Sequence, residues 1–276
     1  NVVYSKKLAG KSQVAIIGAD ETMAKTNMSS LPEKVSLREK FEALGIRPEH
    51  QQKELDSCGI RVVQKALEYE AKRQGVDFRP SLADLYWLEG SWGRTTGPNG
   101  TSPQTTLRTI SLLGVASDKD FPDSKLGQPS PEGLRRLKGT VIIRDFNHWI
   151  PSVPAIGDPI TKHGYKTSTP LRTQWMMEEL RQGRTVIVCM SAVLSPGPNI
   201  DGSGKRVDHA VLVTGFETQD GTPNKTTFQV LNSWGTGWGN GGYGFLNGST
   251  GISVFSVETI QPTPEAEAAN RGPSQN

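Results

Sequence analysis

Cysteine is scarce in this chain: Cys58 and Cys189 are the two cysteines among 276 residues. Two cysteines cannot form the disulfide framework that supports a small secreted domain. The chain does not need one, because 276 residues with 34% hydrophobic side chains can bury a sizeable core. We expect either one large domain or two lobes that share an interface.

Long hydrophobic runs and charge of one sign are also missing. No apolar stretch approaches the roughly 18–20 residues of a membrane-spanning helix, so we expect no membrane span. The 31 basic and 28 acidic side chains give a formal net charge of +3, which is too small and too scattered to indicate a nucleic-acid partner. Basic clusters such as residues 135–138 are typical of a solvated helix face.

The spacing of metal ligands is absent as well. The two cysteines and four histidines are not grouped as zinc ligands are, and the sequence NIDGSG (199–204) has too few acidic residues for a calcium loop. His50, His148 and His163 lie in no recognisable catalytic or metal-binding motif. We therefore expect no metal.

The first half of the sequence has the pattern of helices. Apolar residues recur at helical spacing in the segments 58–74, 81–90 and 105–114. Gly75 follows the first segment directly and is a plausible helix end. Before these segments, a short apolar run at 14–17 predicts a strand.

The second half has the pattern of an antiparallel sheet, with apolar segments separated by turns that contain Gly, Asp or Pro. The predicted strands are 140–146, 184–194, 207–217, 226–234, 242–248 and 252–260, with one helix at 171–182. We expect disorder from Gln261 onward, where Pro, Glu, Ala and Asn dominate. Helices followed by such a sheet indicate an α+β fold, in which a cleft between two lobes is a common place for a site.

Cys58 lies where a loop is predicted to become a helix. The unpaired amides and the dipole at a helix N-terminus favour the thiolate, which is the reactive form of cysteine. Asp56 and Ser57 are candidate N-cap residues. The Cys58 N–H can donate to an oxyanion, and the side-chain amide of Gln52 is a candidate second donor. Without a partner base, Cys58 would be interpreted as a buried structural thiol.

The candidate base is His209, in VDHAVLVTGF (207–216), at the start of a strongly apolar strand. Asn232 lies on the next strand, where its amide can accept from the imidazole N–H and fix the tautomer that faces the thiol. Trp234 is placed to cover that hydrogen bond. Cys189, inside another apolar strand, is predicted to be a core residue.

These residues lie in motifs that resemble those of the papain-like cysteine peptidases, including divergent bacterial members. The matching segments are NSWGTGWGNGGYG (232–244) at the family's asparagine, DHAV (208–211) at its histidine, Q-x5-C (52–58) at its glutamine and cysteine, LPEKVSLREK (31–40) near its mature N-terminus, and GTS (100–102) at a loop that walls the substrate cleft. The order Gln, Cys, His, Asn is also the family's.

The resemblance covers about residues 31–260 and implies a two-lobe papain-like fold of the α+β class. A helical lobe (31–130) would carry the nucleophile, an antiparallel β-barrel-like lobe (131–260) would carry His and Asn, and the active-site cleft would lie between them. Residues 1–30 are predicted to be an N-terminal extension, for which one interpretation is an arm that crosses to the β lobe. Residues 261–276 are predicted to be a disordered tail.

The resemblance also implies hydrolysis of peptide bonds through a thioester. Cys58 would attack the scissile carbonyl while Gln52 and the Cys58 N–H hold the oxyanion. His209 would protonate the leaving amine and then activate water, oriented by Asn232. The remaining residues implied for the substrate cleft are Trp234, Trp238, Gly100, Thr101 and Ser102.

The implied partners are a peptide or protein substrate and either a pro-segment or a proteinaceous inhibitor. No nucleic acid, membrane span, metal or cofactor is implied, and the expected state is a monomer. The resemblance favours a secreted or extracytoplasmic location.

The nucleophile motif departs from the family's usual CGSCW, because this chain reads LDSCG (55–59). Leu55 replaces the first cysteine, which removes the usual nearby disulfide. Gly59 replaces the aromatic residue that follows the nucleophile, which would loosen the start of the helix.

A second alignment register matches Cys58 to the family's structural cysteine and places Arg61 at the nucleophile position, which would make the protein inactive. That register also puts Leu55 where the oxyanion glutamine belongs and shifts the following helix out of step. We therefore favour the register in which Cys58 is the nucleophile and Gln52 the oxyanion donor.

Two other classes of function stay open at this point. One is a catalytically inactive papain-like binding module, which Gly59 and the unusual nucleophile motif favour. The other is a thiol amidase or a transglutaminase-like acyltransferase, which would share the Cys–His geometry.

Overall fold

The structure is a computed structural model of the 276-residue chain. It describes residues 3–5, 14–18, 32–49, 57–91, 103–137, 139–145, 164–192, 199–200, 207–219, 225–247 and 253–262. These fall into two compact units. The sheet unit takes its residues mainly from 17–50 and 144–256, and the helical unit from 3–16, 51–143 and 257–276.

Helices dominate the first half of the chain and strands the second, as predicted. The helices are α1 (Arg38–Ala43), α2 (Cys58–Arg73), α3 (Leu82–Ser91), α4 (Pro103–Leu113) and α5 (Gly164–Arg181), with a 3-10 turn at Asp123–Lys125. The strands are β1 (Val3–Ser5), β2 (Val14–Gly18), β3 (Lys34–Ser36), β4 (Gly139–Asp145), β5 (Val186–Ala192), β6 (Asn199–Ile200), β7 (Val207–Thr218), β8 (Thr226–Leu231), β9 (Tyr243–Asn247) and β10 (Ser253–Pro262). The fold is therefore of the predicted α+β class.

Several predicted boundaries differ from the structure; the strand predicted at 226–234, for example, ends at Leu231, so Asn232 follows the strand rather than lying on it. The helix predicted at 171–182 begins at Gly164, so that Pro170 lies inside α5. Proline usually ends or kinks a helix, but every side chain from 172 to 180 is buried, and such packing stabilises a helix beyond its intrinsic propensity. Gln261 and Pro262 were predicted to begin a disordered tail, but they are the last two residues of β10. Residues 263–276 lie outside the described part of the chain.

The helical unit is built around α2, which packs against α3 and α4. The side chains of Ile60, Val63 and Leu67 are fully buried, as the helical spacing of apolar residues predicted. The strands β1, β2 and β4 follow one another in that order in the sheet, and β10 follows β4. Among the described residues, no helix is both long and apolar enough to cross a bilayer.

Charged residues of α2 are buried too, although charged side chains on a helix are usually solvated. Lys65 Nζ lies 3.2 Å from Glu68 Oε2, and Lys72 Nζ lies 3.0 Å from Glu68 Oε1. Glu68 is 2% exposed. Because burying a single charge is costly, the pairing of each charge allows α2 to be enclosed on all of its faces.

Asp123 links its own 3-10 turn to three other parts of the helical unit: α2, Arg79 and the N-terminus of α3. Its carboxylate accepts from Arg61 Nη1 at 2.7 Å, from Arg79 Nη2 at 2.6 Å and from the Leu82 amide at 3.1 Å, so it joins α2 to the N-terminus of α3. Burial raises the pKa of Asp123, but Arg61 and the other donors outweigh burial and hold the pKa below its usual range. The ionised form is therefore the one that the fold stabilises.

The sheet unit is arranged around β7. The strand order is β10-β5-β7-β8-β9-β6, and all of these pairs are antiparallel except β6 with β9. Strand β3 pairs with the second half of β7, in the register Val35 opposite Phe216. Helix α5 contacts β7, β5 and β3. As a result, β7 is enclosed by three strands and one helix.

Gly215 permits β3 to approach β7. The pairing of β7 with β8 shifts between Val213 and Gly215, which is a bulge. A methyl group at Gly215 would overlap the carbonyl oxygen of Val35 and lie 3.1 Å from the Cα of Ser36. The chain continues from β3 with the Leu37 amide donating to the Thr214 carbonyl at 2.7 Å.

We expect Asp123→Ala to lower the free energy of unfolding by about 3 kcal/mol, because Arg61 would keep a buried charge without its main counterion. Asp77→Ala is the matched control. Asp77 lies 2.8 Å from Lys119, but both side chains are exposed, so its loss should change stability very little. Urea unfolding followed by circular dichroism measures both. Equal losses in the two variants would contradict this account of Asp123.

Candidate active site

His209 and Asn232 form a buried hydrogen-bonded pair in the sheet unit. His209 is the third residue of β7 and lies opposite Met190 of β5. Leu231, the last residue of β8, pairs with Leu212 of β7, so that Asn232 follows at the end of β7 where His209 lies. The distance from His209 Nε2 to Asn232 Oδ1 is 2.9 Å. The structure thus joins two of the predicted site residues, which are 23 positions apart.

Asn232 is held by more bonds than the sequence indicates. Its backbone N–H donates to the carbonyl of Gly242 at 3.0 Å, and its Oδ1 also accepts from the Ser233 N–H at 2.7 Å. Asn232 is 2% exposed. Its Nδ2 is buried without a hydrogen-bond partner among the described residues. The side chain therefore presents Oδ1 to the imidazole from a fixed position.

This geometry selects one tautomer of His209. Asn232 Oδ1 is an acceptor, so Nε2 carries the hydrogen and Nδ1 is the basic nitrogen of the neutral ring. Burial lowers the pKa of His209, and the hydrogen bond to Asn232 opposes that effect in part. The neutral ring is therefore favoured unless an anion comes close to it.

Two tryptophans follow Asn232 and form an aromatic cover. The ring of Trp234 lies 5.6 Å from the imidazole, centroid to centroid, at an interplanar angle of 44°. Trp238 meets Trp234 edge to face at 6.1 Å and is 5% exposed. Apolar rings at these distances keep water from competing for the bond between His209 and Asn232. The predicted role of both tryptophans in a substrate cleft stays a prediction.

Cys58 is the first residue of α2 in the helical unit, as predicted, and its side chain is half-buried. Ser57 occupies the N-cap position, but its side chain makes no capping hydrogen bond. Its hydroxyl is buried without a hydrogen-bond partner among the described residues. The predicted cap by Ser57 is therefore wrong, and the Ser57 hydroxyl does not compete for the amides at the start of α2. The other candidate cap, Asp56, lies outside the described residues.

The remaining predicted site residues cannot be placed. Gln52, Gly100, Thr101 and Ser102 lie outside the described residues, so their roles stay predictions. The same holds for the three other histidines. Within the described ranges, no group of three or more His, Cys, Asp or Glu side chains is arranged to hold a metal ion.

Cys189 lies on β5, where it pairs with Ala210 of β7 and Ser253 of β10. The strand was predicted correctly, but Cys189 is half-buried rather than a full core residue. Cys58 and Cys189 form no disulfide with each other.

Solved structures share this fold. The chain resembles xylellain, a cysteine protease from Xylella fastidiosa, with a TM-score of 0.58, 16% identity, and coverage of 88% of this chain and 90% of that one. It resembles digestive procathepsin L 3 from the larval midgut of Tenebrio molitor with a TM-score of 0.56, 19% identity, and coverage of 84% and 70%. Helices, antiparallel sheet and these likenesses together define a papain-like fold.

Residues 31–258 match the model of the papain family cysteine proteases, and the chain belongs to this family. Among individual proteins, it is 47% identical over 51 residues to a cysteine protease from Blomia tropicalis, covering 17% of this chain and 14% of that protein. It is 25% identical over 182 residues to mouse (Mus musculus) cathepsin W, covering 59% and 46%. The chain thus matches less than half the length of each of these relatives.

We expect His209 to titrate below its usual pKa of about 6.5 in a Cys58→Ala chain, where the proposed partner thiol is removed. Asn232→Ala in this background should lower the pKa further, because the hydrogen bond that raises it is lost. The unfolded state then binds the proton more readily than the folded state, so stability falls as the pH drops from about 6.5 toward the folded pKa.

NMR titration of the imidazole and urea unfolding at several pH values measure both effects. Asn240→Ala is the control, since Asn240 is exposed in the same loop and its described hydrogen bonds with Tyr243 use backbone atoms. An Asn232→Ala chain whose His209 pKa equals that of the control would contradict the assigned hydrogen bond.

Proposed function

We propose that this protein is a cysteine peptidase that hydrolyses peptide bonds through a thioester. Cys58 is the nucleophile, His209 the general acid and base, Asn232 the residue that orients the imidazole, and Gln52 an oxyanion donor. One observation carries the proposal: in a chain of the papain family, the histidine and asparagine of the family motifs form a buried hydrogen bond that leaves Nδ1 as the basic nitrogen.

The first step is the transfer of a proton from the Cys58 thiol to His209 Nδ1. Burial disfavours an imidazolium at this place, so the step needs a nearby anion, and the thiolate is that anion. The N-terminus of α2 favours the thiolate in turn, through its amides and its dipole. The two charges therefore stabilise each other, and the proposal requires the sulfur to come within hydrogen-bond reach of the ring.

The thiolate then attacks the scissile carbonyl carbon, whose oxygen becomes negative. The Cys58 N–H and the Gln52 side-chain amide donate to this oxygen. The imidazolium gives its proton to the leaving amine, the C–N bond breaks, and a thioester remains. Water gives a proton to Nδ1 and attacks the thioester; the acid product leaves, and the thiolate and imidazolium are restored.

The position of Arg61 supports the register with Cys58 as nucleophile. Arg61 Nη1 donates to Asp123 at 2.7 Å and to Gln64 Oε1 at 2.8 Å, and the residue is 6% exposed. A side chain committed to these bonds inside the helical unit is a structural residue. Cys58, half-buried at the first position of the helix, has the location that a nucleophile needs.

The rest of the site follows the family pattern. We propose that Trp234, Trp238 and the loop residues 100–102 line the substrate cleft. A pro-segment is a proposed partner, because two similar solved structures are a procathepsin and a proform. The family match favours neither the inactive binding module nor the acyltransferase.

A digest of a peptide library tests the peptidase proposal. We expect cleavage by the wild type, none by Cys58→Ala, and unchanged cleavage by the control Cys189→Ser, whose sulfur has no role in the mechanism. Gln52→Ala should lower kcat by roughly 10²–10³-fold through loss of one oxyanion donor. Cleavage that survives Cys58→Ala would overturn the mechanism. Acyl transfer to added amines without peptide cleavage would indicate the acyltransferase instead.

The ion pair makes a separate prediction for His209. Restoring Cys58 to the Cys58→Ala chain should raise the His209 pKa, since the thiolate stabilises the imidazolium. A chain with Cys58→Ser, which keeps the size of the side chain but does not ionise, should show the lower value. NMR titration compares the three chains. Equal His209 pKa values in all three would contradict the pairing of sulfur and ring.

A further inference from the structure

Asn232 depends on the position of one backbone carbonyl, that of Gly242. Gly242 is the residue just before β9, and its carbonyl accepts the Asn232 N–H at 3.0 Å. Its own N–H donates to the Trp238 carbonyl at 2.7 Å, which closes the loop that follows Asn232. Any shift of Gly242 is therefore transmitted to Asn232 and to its bond with His209.

Gly242 has a conformation and a neighbour that exclude other residues. Its φ is +90°, in the region that favours glycine. A methyl group at this position would lie 2.7 Å from Pro48 Cγ, closer still to Pro48 Cβ, and 3.2 Å from the carbonyl oxygen of Gly235. Pro48 thus lies directly against the Cα of Gly242, with no room for a side chain between them.

Pro48 reaches this position at the end of a segment that runs along the sheet. The Leu37 N–H donates to Thr214 of β7 at 2.7 Å. The guanidinium of Arg38 then lies 4.5 Å above the ring of Tyr243, the first residue of β9. After α1, the chain arrives at Pro48. The segment 36–48 therefore has contacts on both β7 and β9.

In the sequence, Pro48 comes shortly before two of the proposed site residues. Gln52, the proposed oxyanion donor, is four residues further along, and Cys58 is ten. We propose that Gly242 and Pro48 are positioning residues: their contact fixes the Gly242 carbonyl and, through it, the main chain of Asn232. This inference rests on the proposed peptidase function.

The contact acts by placement. The Gly242 carbonyl sets Asn232, and Asn232 Oδ1 sets the imidazole, so a shift at Gly242 turns the ring away from its productive orientation. A displacement of about 1 Å in catalytic geometry costs on the order of 10²-fold in rate. Pro48 has a restricted backbone, which limits how far the neighbouring segment can yield to such a shift.

Five variants separate the contact from general strain. Gly242→Ala introduces both the left-handed strain and the overlap with Pro48. Gly241→Ala introduces the same kind of strain, at φ +66°, but its nearest neighbour is the end of the Arg38 side chain at 3.6 Å. Gly237→Ala meets nothing within 4 Å. Gly242→Ala combined with Pro48→Gly removes the overlap, with Pro48→Gly alone as its reference.

We expect Gly242→Ala to lower kcat on a cleaved peptide by on the order of 10²-fold with little change in KM. The His209 pKa should fall, as the bond to Asn232 lengthens. Gly241→Ala and Gly237→Ala should change kcat much less, and the double variant should recover most of the kcat lost. Thermal unfolding of every variant checks that each chain is folded.

Equal losses of kcat in Gly242→Ala and Gly241→Ala would overturn the proposal, because strain alone would then explain them. A double variant that stays as slow as Gly242→Ala would overturn it as well. If the wild type cleaves no peptide, the proposed function falls, and the His209 titration in the same variants still decides whether Gly242 and Pro48 position the ring.

Discussion

The hydrogen bond between His209 Nε2 and Asn232 Oδ1 is the interaction on which this site depends. It lies in a place where the imidazole is buried and its charged form is disfavoured. Nε2 must then keep its hydrogen, and Nδ1 becomes the nitrogen that exchanges protons. In the proposed mechanism, the Cys58 thiolate is the counterion that a buried imidazolium requires.

The sheet provides the rigidity that this bond needs. Strand β7 is paired on both edges and contacts α5, so the position of His209 at its start is well determined. Asn232 arrives beside it through the pairing of β7 with β8 and is then fixed by backbone bonds to the loop before β9. Trp234 covers the pair. Each of these features is a matter of strand register and packing.

Much of the fold follows from the sequence, and so does the pairing of His209 with Asn232. Apolar periodicity predicts α2, α3 and seven strands (β2, β4, β5 and β7–β10), because burial of one face leaves a visible pattern. The short elements α1, β1, β3 and β6 were not predicted, since so few residues do not define a period. His209 and Asn232 are predictable because they lie in motifs of fixed spacing. The hydrogen bonds that hold these residues could not be predicted. Gly242 is one of several glycines in its motif, and nothing in the sequence indicates that its carbonyl accepts the Asn232 N–H. The bond from Arg61 to Asp123 joins residues 62 positions apart, and a charged residue on a helix usually indicates a solvated face.

The central claim is that the sulfur of Cys58 is ionised by the ring of His209. The pH dependence of alkylation by iodoacetamide, read at each cysteine by mass spectrometry, tests it most directly. The account predicts fast labelling of Cys58 at mildly acid pH, well below the usual thiol pKa of about 8.5, and loss of this acidic reactivity in His209→Ala. Labelling of Cys58 that rises only near pH 8.5, alike in the wild type and in His209→Ala, would contradict the claim.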